Sequence, residues 1–305
     1  MLLSGRAHPD LGAAVAAELG VEPGRCILET FPDQELQVQI LEAVEGRQVF
    51  ILQPTAPPAA KHFFELMLMA DACRRAGASR VIAVVPYLGY ARQDRRAHSG
   101  EPVGARLMAE LMEQRIDRLV TVDLHTPSIE GFFRIPVENL SAISLPAEAI
   151  RPELSPASVV VAPDLGAVKI ARRYAELLDL PVAYVDKARL SGGEVLAREV
   201  VGKVEARLPL LVDDMITTGG TMLSAMKALL DKGCLPRFAV AATHGLLVGN
   251  AVRELASFSL SSVVLSDSIA MPDFGALPVR VISLQKALAQ AIQRLTTSIV
   301  QEKRR

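Results

Sequence analysis

Two adjacent carboxylates close an apolar run in Leu210–Thr221, LLVDDMITTGGT. Asp213 and Asp214 are followed by Thr217, Thr218, Gly219, Gly220 and Thr221, and a stretch of helical period begins there. Glycines let a backbone turn tightly and approach a ligand, while hydroxyls and free N–H groups gather at a positive helix N-terminus. That chemistry suits a phosphate. Paired carboxylates just ahead of the loop suit vicinal hydroxyls, or a metal bound to them, so one segment could hold both ends of a sugar phosphate.

A second cluster lies upstream. Pro86–Arg96, PYLGYARQDRR, places Arg92, Gln93, Arg95 and Arg96 just after an apolar run. Arginine offers planar, bidentate donors matched to polyphosphate oxygens. At the next run, VTVDLHTP, Asp123 and His125 stand two apart. If both belong to a strand, their side chains point the same way and could hold Mg²⁺ directly or through its waters. Asp164, in APDLG, gives the second half a carboxylate at a corresponding run end. His8, His62, His98 and His244 lack such company and read as structural. Neither GxxxxGK[ST] nor a strand-linked GxGxxG occurs, so a nucleotide, if used, is held by another device.

The elements that must position these groups alternate. Strands are expected at Gln48–Gln53, Arg80–Val85, Leu119–Asp123, Val159–Val161, Val182–Val185, Pro209–Val212 and Phe238–Thr243. Helices are expected at Leu11–Leu19, Phe63–Ala76, Val103–Gln114, Val168–Leu178, Thr221–Lys232 and Leu284–Ser298. This order predicts an α/β fold with mainly parallel sheets flanked by helices, the active groups lying at the C-terminal ends of strands. QVFILQP, from Gln48, resembles SVVVAPD, from Ser158, and RLVTVDLH resembles RFAVAATH. The repeat points to duplicated domains joined within Leu145–Pro156, taken as residues 1–148 and 149–305.

Composition narrows the partners. Half of the 305 residues are hydrophobic, and 33 basic against 34 acidic side chains leave a net charge of −1. A nucleic-acid binder would show a basic excess, so none is expected. Cys26, Cys73 and Cys234 are scattered and odd in number, which fits a reducing cytoplasm rather than a disulfide framework. No run of about 18 apolar residues occurs, so no membrane partner is expected.

FPDQE, PYLGYARQD, TVDLHTPSIEGFF, IPVENL, APDLG, DKAR and VDDMITTGGT occur in that order from Phe31 onward. Together they resemble the ribose-phosphate pyrophosphokinase (phosphoribosyl pyrophosphate synthetase) family, and the last resembles the phosphoribosyl-binding signature of type I phosphoribosyltransferase folds. The resemblance implies two tandem type I phosphoribosyltransferase-like domains, Mg²⁺ as cofactor, ATP and ribose 5-phosphate as substrates, and a homo-oligomer with the ATP site shared between subunits. By the same resemblance Phe31, Asp33, Gln34 and Glu35 belong to a loop holding adenine from the adjacent subunit, and Arg92, Gln93 and Arg95 contact ATP. His125 and Asp164, with Asp123 beside them, would be Mg²⁺ ligands. Lys187 and Arg189 match the catalytic loop, and Arg189, Asp213, Asp214 and Thr217–Thr221 match the ribose 5-phosphate site. Thr217 stands where the family commonly has Asp and resembles archaeal-like members, whose loops carry Ser or Thr there. Gly100 and Arg134 depart in segments linked to ADP regulation, so ADP is expected only to compete with ATP. Two other readings remain: a phosphoribosyltransferase, which needs no YARQD and VDLH domain, and a non-catalytic subunit, against which Lys187, Arg189 and His125 speak.

Overall fold

A computed structural model describes residues 1–189 and 196–302, and the side chains of 187–198 and 298–305 lie outside that description. In chain order the first part runs β1 (Leu2–Ser4), α1 (Pro9–Leu19), β2 (Cys26–Thr30), β3 (Leu36–Ile40), β4 (Gln48–Leu52), α2 (Ala59–Arg75), β5 (Arg80–Val85), α3 (Gly104–Met112), β6 (Arg118–Val122) and β7 (Val137–Leu140). It continues with α4 (Ser144–Ile150), β8 (Ser158–Ala162), α5 (Val168–Leu178), β9 (Val182–Arg189), β10 (Leu196–Val201), β11 (Leu208–Ile216), α6 (Gly220–Asp231), β12 (Phe238–Gly245), α7 (Ala251–Leu255), β13 (Leu260–Ser266), β14 (Val279–Ile282) and α8 (Gln285–Glu302). The chain forms two compact units, one of residues 1–140, 268–270 and 283–305, the other of 141–267 and 271–282.

Each unit carries a sheet whose apolar runs are buried on both faces, as parallel strands covered by helices must be. In the first, the order is β1-β4-β5-β6-β7, all parallel. Val49, Ile51, Val81, Ala83 and Val85 meet Leu66, Met69 and Cys73 of α2 and Met108 and Met112 of α3 in its core. The antiparallel pair β2-β3 forms a separate two-stranded ribbon. The second unit's order is β10-β9-β8-β11-β12-β13-β14, antiparallel only at β9–β10. Its core is divided between a cluster built on Leu211, Val240 and Met226 and another on Val160, Val212 and Tyr174.

The five parallel strands β1-β4-β5-β6-β7 match β8-β11-β12-β13-β14 in order, and each first strand is followed by a helix and an antiparallel hairpin. The sequence repeat was therefore read one strand out of register: it paired β4 with β8 and β6 with β12. Short buried strands of Val, Ile and Ala look alike, and topology distinguishes them where composition does not. The C-terminal helix α8 lies in the first unit, packed along α1, with Leu288, Ala291 and Ile292 buried. No helix among the described residues is long and apolar enough to cross a membrane.

Candidate functional site

The sugar-phosphate segment comes from β11, which runs past both acids to Ile216 rather than stopping at Val212. Asp213 pairs in register with Ala242, and Met215 with the buried His244 of β12. Asp213 is half-buried and Asp214 buried. The Asp214 amide donates to Asp213 Oδ1 at 2.9 Å. Burial, then the charge of Asp214 and its side-chain hydrogen bond, and last Asp164, push the Asp213 carboxyl far above the usual carboxylate range. Such a carboxyl awaits a cation or hydroxyl donors. Beyond it the chain is pinned outward from β12: Leu247 and Val248 amides donate to the carbonyls of Ile216 and Thr217. Gly219, at φ 78°, turns the backbone into α6 in the left-handed region, and Thr218 and Gly220 are exposed at the helix start. The segment expected to hold a phosphate thus runs through a strand, a left-handed turn and a helix N-terminus.

Asp164 lies two residues past β8, the neighbour of β11. Its Oδ1 accepts from the amides of Gly166 and Ala167 at 2.9 and 3.3 Å. Lys187 and Arg189 fall on the backbone of β9, and their side chains lie outside the described residues.

In the first unit, the loops after β4, β5 and β6 are tied together. Thr55 is fully buried, and its hydroxyl accepts from the Gly89 amide at 2.7 Å. A Cβ on Gly89 would lie 2.5 Å from the Thr55 carbonyl oxygen, so this close approach demands glycine. Tyr90 follows in the left-handed region at φ 62°, and the Gln93 amide closes the turn on the Tyr90 carbonyl. Arg92, Gln93 and Arg95 are exposed on that turn. Asp94 Oδ2 accepts from Thr126 Oγ1 at 2.9 Å, which joins the arginine loop to the segment carrying Asp123 and His125. Asp123 does not continue the strand: β6 stops at Val122, and Asp123 takes φ 39°. The alternation expected to align Asp123 with His125 therefore fails, because the chain turns left-handed at the residue where the strand ends. Both still occupy the same loop, with His125 exposed and Asp123 half-buried.

The β2-β3 hairpin presents Phe31, Asp33, Gln34 and Glu35 at its tip. The Phe31 amide donates to the Glu35 carbonyl at 2.8 Å, the Glu35 amide to Asp33 Oδ1 at 3.1 Å, and Gln34 takes φ 75°. Phe31 is 42% exposed, an unusual cost for an aromatic ring at a free hairpin tip.

Comparisons with known proteins decide between the readings that this geometry allows. The family model for the N-terminal domain of ribose phosphate pyrophosphokinase matches residues 1–115, and that for the phosphoribosyl transferase domain matches 151–258. The ribose-phosphate pyrophosphokinase of Staphylococcus saprophyticus is 39% identical over 300 residues, covering 96% of this chain and 93% of that protein. The chain belongs to the ribose-phosphate pyrophosphokinase family. The Staphylococcus aureus protein of the same name is 38% identical over 299 residues, covering 96% of this chain and 93% of its own. A crystal structure of phosphoribosylpyrophosphate synthetase from Mycobacterium smegmatis superposes with a TM-score of 0.92 at 35% identity, covering 98% of this chain and 99% of that one.

For this family Mg²⁺ is the implied cofactor. Among the described residues no group of three or more acidic, His or Cys side chains could hold a metal by itself. Asp123 in the first unit and Asp164 in the second are each oxygen donors of the kind a hard cation takes beside waters and substrate phosphates, and His125 is a less common ligand type. Burial and the charges of Asp214 and Asp164 raise the Asp213 carboxyl, a repulsion that a nearby cation would relieve. Sequence reasoning overlooked the supports: Gln53, Thr55 and Asp94 join loops to one another. For Gln53 and Thr55 the one signal is a polar residue close behind a buried apolar run, and Asp94 has none.

Proposed function

We propose that this chain transfers the β,γ-diphosphoryl group of Mg·ATP to the C1 hydroxyl of ribose 5-phosphate, giving phosphoribosyl pyrophosphate and AMP. The observation that carries the reading is the pairing, in one chain, of the Asp213–Thr221 cradle with the tied Arg92 and His125 loops. A base-loading phosphoribosyltransferase needs only the first. Thr217, Thr218 and Thr221, with the amides of Gly219 and Gly220, bind the 5-phosphate at the N-terminus of α6. Asp213 and Asp214 accept hydrogen bonds from the ribose hydroxyls. Phe31 packs on adenine, with Asp33, Gln34 and Glu35 offering polar contacts, while Arg92, Gln93 and Arg95 take the phosphates.

The C1 oxygen attacks the β-phosphorus and gives up its hydroxyl proton to solvent, the bond to the α,β-bridging oxygen breaks, and AMP leaves with that oxygen. Little covalent protein chemistry is required, so positioning and charge neutralisation carry the rate. Lys187 and Arg189 bring positive charge to the oxygens around the transferred group. Mg²⁺ would neutralise the polyphosphate when bound, with His125 and Asp123 as ligands offered by the first unit and Asp164 as one offered by the second. The protein acts as a homo-oligomer, each ATP site shared between two subunits.

The test is product analysis with ribose 5-phosphate and Mg·ATP. AMP and phosphoribosyl pyrophosphate are expected, whereas ADP would indicate a simple kinase and no turnover a non-catalytic subunit. Lys187→Ala should lower kcat by about two orders of magnitude while leaving the ribose 5-phosphate KM within about twofold. A fall of less than tenfold would remove Lys187 from the catalytic role.

A further inference from the structure

Arg6, in the loop between β1 and α1, reaches two elements at once, α2 through Glu65 and β2 through Thr30. Its backbone amide donates to Glu65 Oε1 at 2.7 Å and its Nε to Glu65 Oε2 at 2.6 Å. Glu65, on α2, is only 1% exposed at its side chain. Gln53, just past β4, donates to the same Glu65 Oε1 at 2.9 Å and accepts from the Ala7 amide at 3.0 Å. With the guanidinium thus fixed, Nη1 donates to Thr30 Oγ1 at 3.0 Å. Thr30 is the last residue of β2, immediately before the Phe31–Glu35 turn. Its chain neighbour is the ring offered at the hairpin tip.

Burying a carboxylate against an arginine is not an efficient source of stability, because the lost hydration offsets most of the attraction. Arg6 Nη2, itself buried, has no hydrogen-bond partner among the described residues, which makes the arrangement costlier still. What the arrangement does supply is direction. A two-stranded ribbon is marginal on its own, and β2-β3 belongs to neither main sheet. At the far end of the ribbon, Arg25 holds Glu42 from an exposed position, where an ion pair fixes little. At the tip end the tie runs instead through a buried carboxylate to α2 and, by way of Gln53, to the end of β4.

We propose that Arg6, oriented by Glu65, is a positioning residue for the nucleotide: through Thr30 it sets the base of the Phe31–Glu35 turn. The inference rests on the assignment of that turn to adenine. Arg6 touches no reacting group, so its loss is felt in nucleotide binding and not in sugar binding or in the chemical step.

The experiment uses the purified full-length protein and three variants: Thr30→Val, which keeps the shape and loses the hydroxyl, Thr30→Ser, which restores it, and Arg6→Lys. Amide hydrogen exchange over residues 26–40 is measured first, without substrate. Thr30→Val and Arg6→Lys should exchange about tenfold faster there than wild type, with the core strands unchanged and Thr30→Ser close to wild type. Steady-state AMP release should then show the ATP KM of Thr30→Val raised about fivefold, with kcat and the ribose 5-phosphate KM within about twofold. Unchanged exchange in Thr30→Val overturns the proposal whatever the enzyme's activity. Faster exchange with an unaltered ATP KM in an active enzyme overturns it as well, as does a parallel rise in both Michaelis constants. A wild-type protein that makes no AMP would sink the assigned reaction, while the exchange data would still decide whether Arg6 holds the hairpin.

Discussion

Asp213 has a carboxyl whose surroundings disfavour its charge until a ligand arrives. Burial first, then Asp214, and also Asp164, raise it from the ordinary aspartate value of 3.8 to about 9. A carboxyl raised on folding binds its proton more tightly in the native state, so the stability it contributes is fully present below 3.8. That contribution is lost as pH rises toward about 9. An asparagine there stays neutral and keeps the benefit. Asp213→Asn should therefore melt about 2–4 °C above wild type at pH 8 without ligands, with the gain shrinking toward pH 5. The same variant should raise the ribose 5-phosphate KM at least about tenfold, because an NH₂ donor replaces one of the two carboxylate oxygens proposed to accept from the sugar hydroxyls, and the charge is lost. Thermal melts across that pH range decide the matter: no gain at pH 8 would mean that the carboxyl is not disfavoured as described. The cysteines show the opposite use of burial. Cys73 and Cys234 are pushed up to about 11, Cys73 by burial and then by Cys26, and Cys234 by burial alone, which leaves them inert packing groups.

At the scale of elements, α3 begins where the nucleotide loop ends, and the two meet closely. A Cβ on Gly104 would lie 2.5 Å from Gln93 Oε1, the far end of a flexible side chain, while the Ala105 amide donates to the Gln93 carbonyl. Gly104→Ala should thus leave the fold intact, with Tm within about 2 °C, because the glutamine tip can swing away. It should raise the ATP KM about fivefold, because the displaced tip is a proposed nucleotide contact. A normal ATP KM would remove Gln93 from the site. Much of this level was legible in the sequence. Arg80–Val85 and Val168–Leu178 were read with the bounds the structure gives, since one is a short apolar run rich in β-branched residues and the other a strongly amphipathic helix. The hairpin strands β2 and β3 were missed: each is five residues long, and their apolar side, Cys26, Leu28, Val38 and Ile40, is only partly buried against the core. The edge strands β1, β7 and β14 are three or four residues long, too short for periodicity to register. The acids, threonines and arginines of the site were legible because their chemistry is written in residue type. The ties of Arg6, Gln53, Thr55 and Asp94 were not, because each depends on a partner distant in sequence.

At the scale of the molecule, the matching strand orders bear on how the work is divided. In each unit the first strand and helix lead into an antiparallel hairpin, β2-β3 in one and β9-β10 in the other. The tip of the first carries the proposed adenine contacts, and the second carries Lys187 and Arg189 on its backbone. The proposed roles thus give one of the two equivalent hairpins to binding and the other to catalysis. If the adenine hairpin serves the neighbouring subunit, damage to the two hairpins must be separable in a mixed oligomer. Phe31→Ala spoils the site that a subunit's hairpin reaches, and Lys187→Ala spoils the site in a subunit's own body. In a dimeric pairing of one variant with the other, both lesions fall on one site and the second site is intact. Random reassortment of equal amounts makes half of the pairs mixed, so about a quarter of wild-type activity should appear at ATP well below its KM. Each parent alone should show a small fraction of that. The variants are mixed, dissociated, allowed to reassemble and assayed for AMP, with unmixed parents treated identically. Activity equal to the mean of the two parents would place the hairpin over its own subunit's site and end the shared-site proposal.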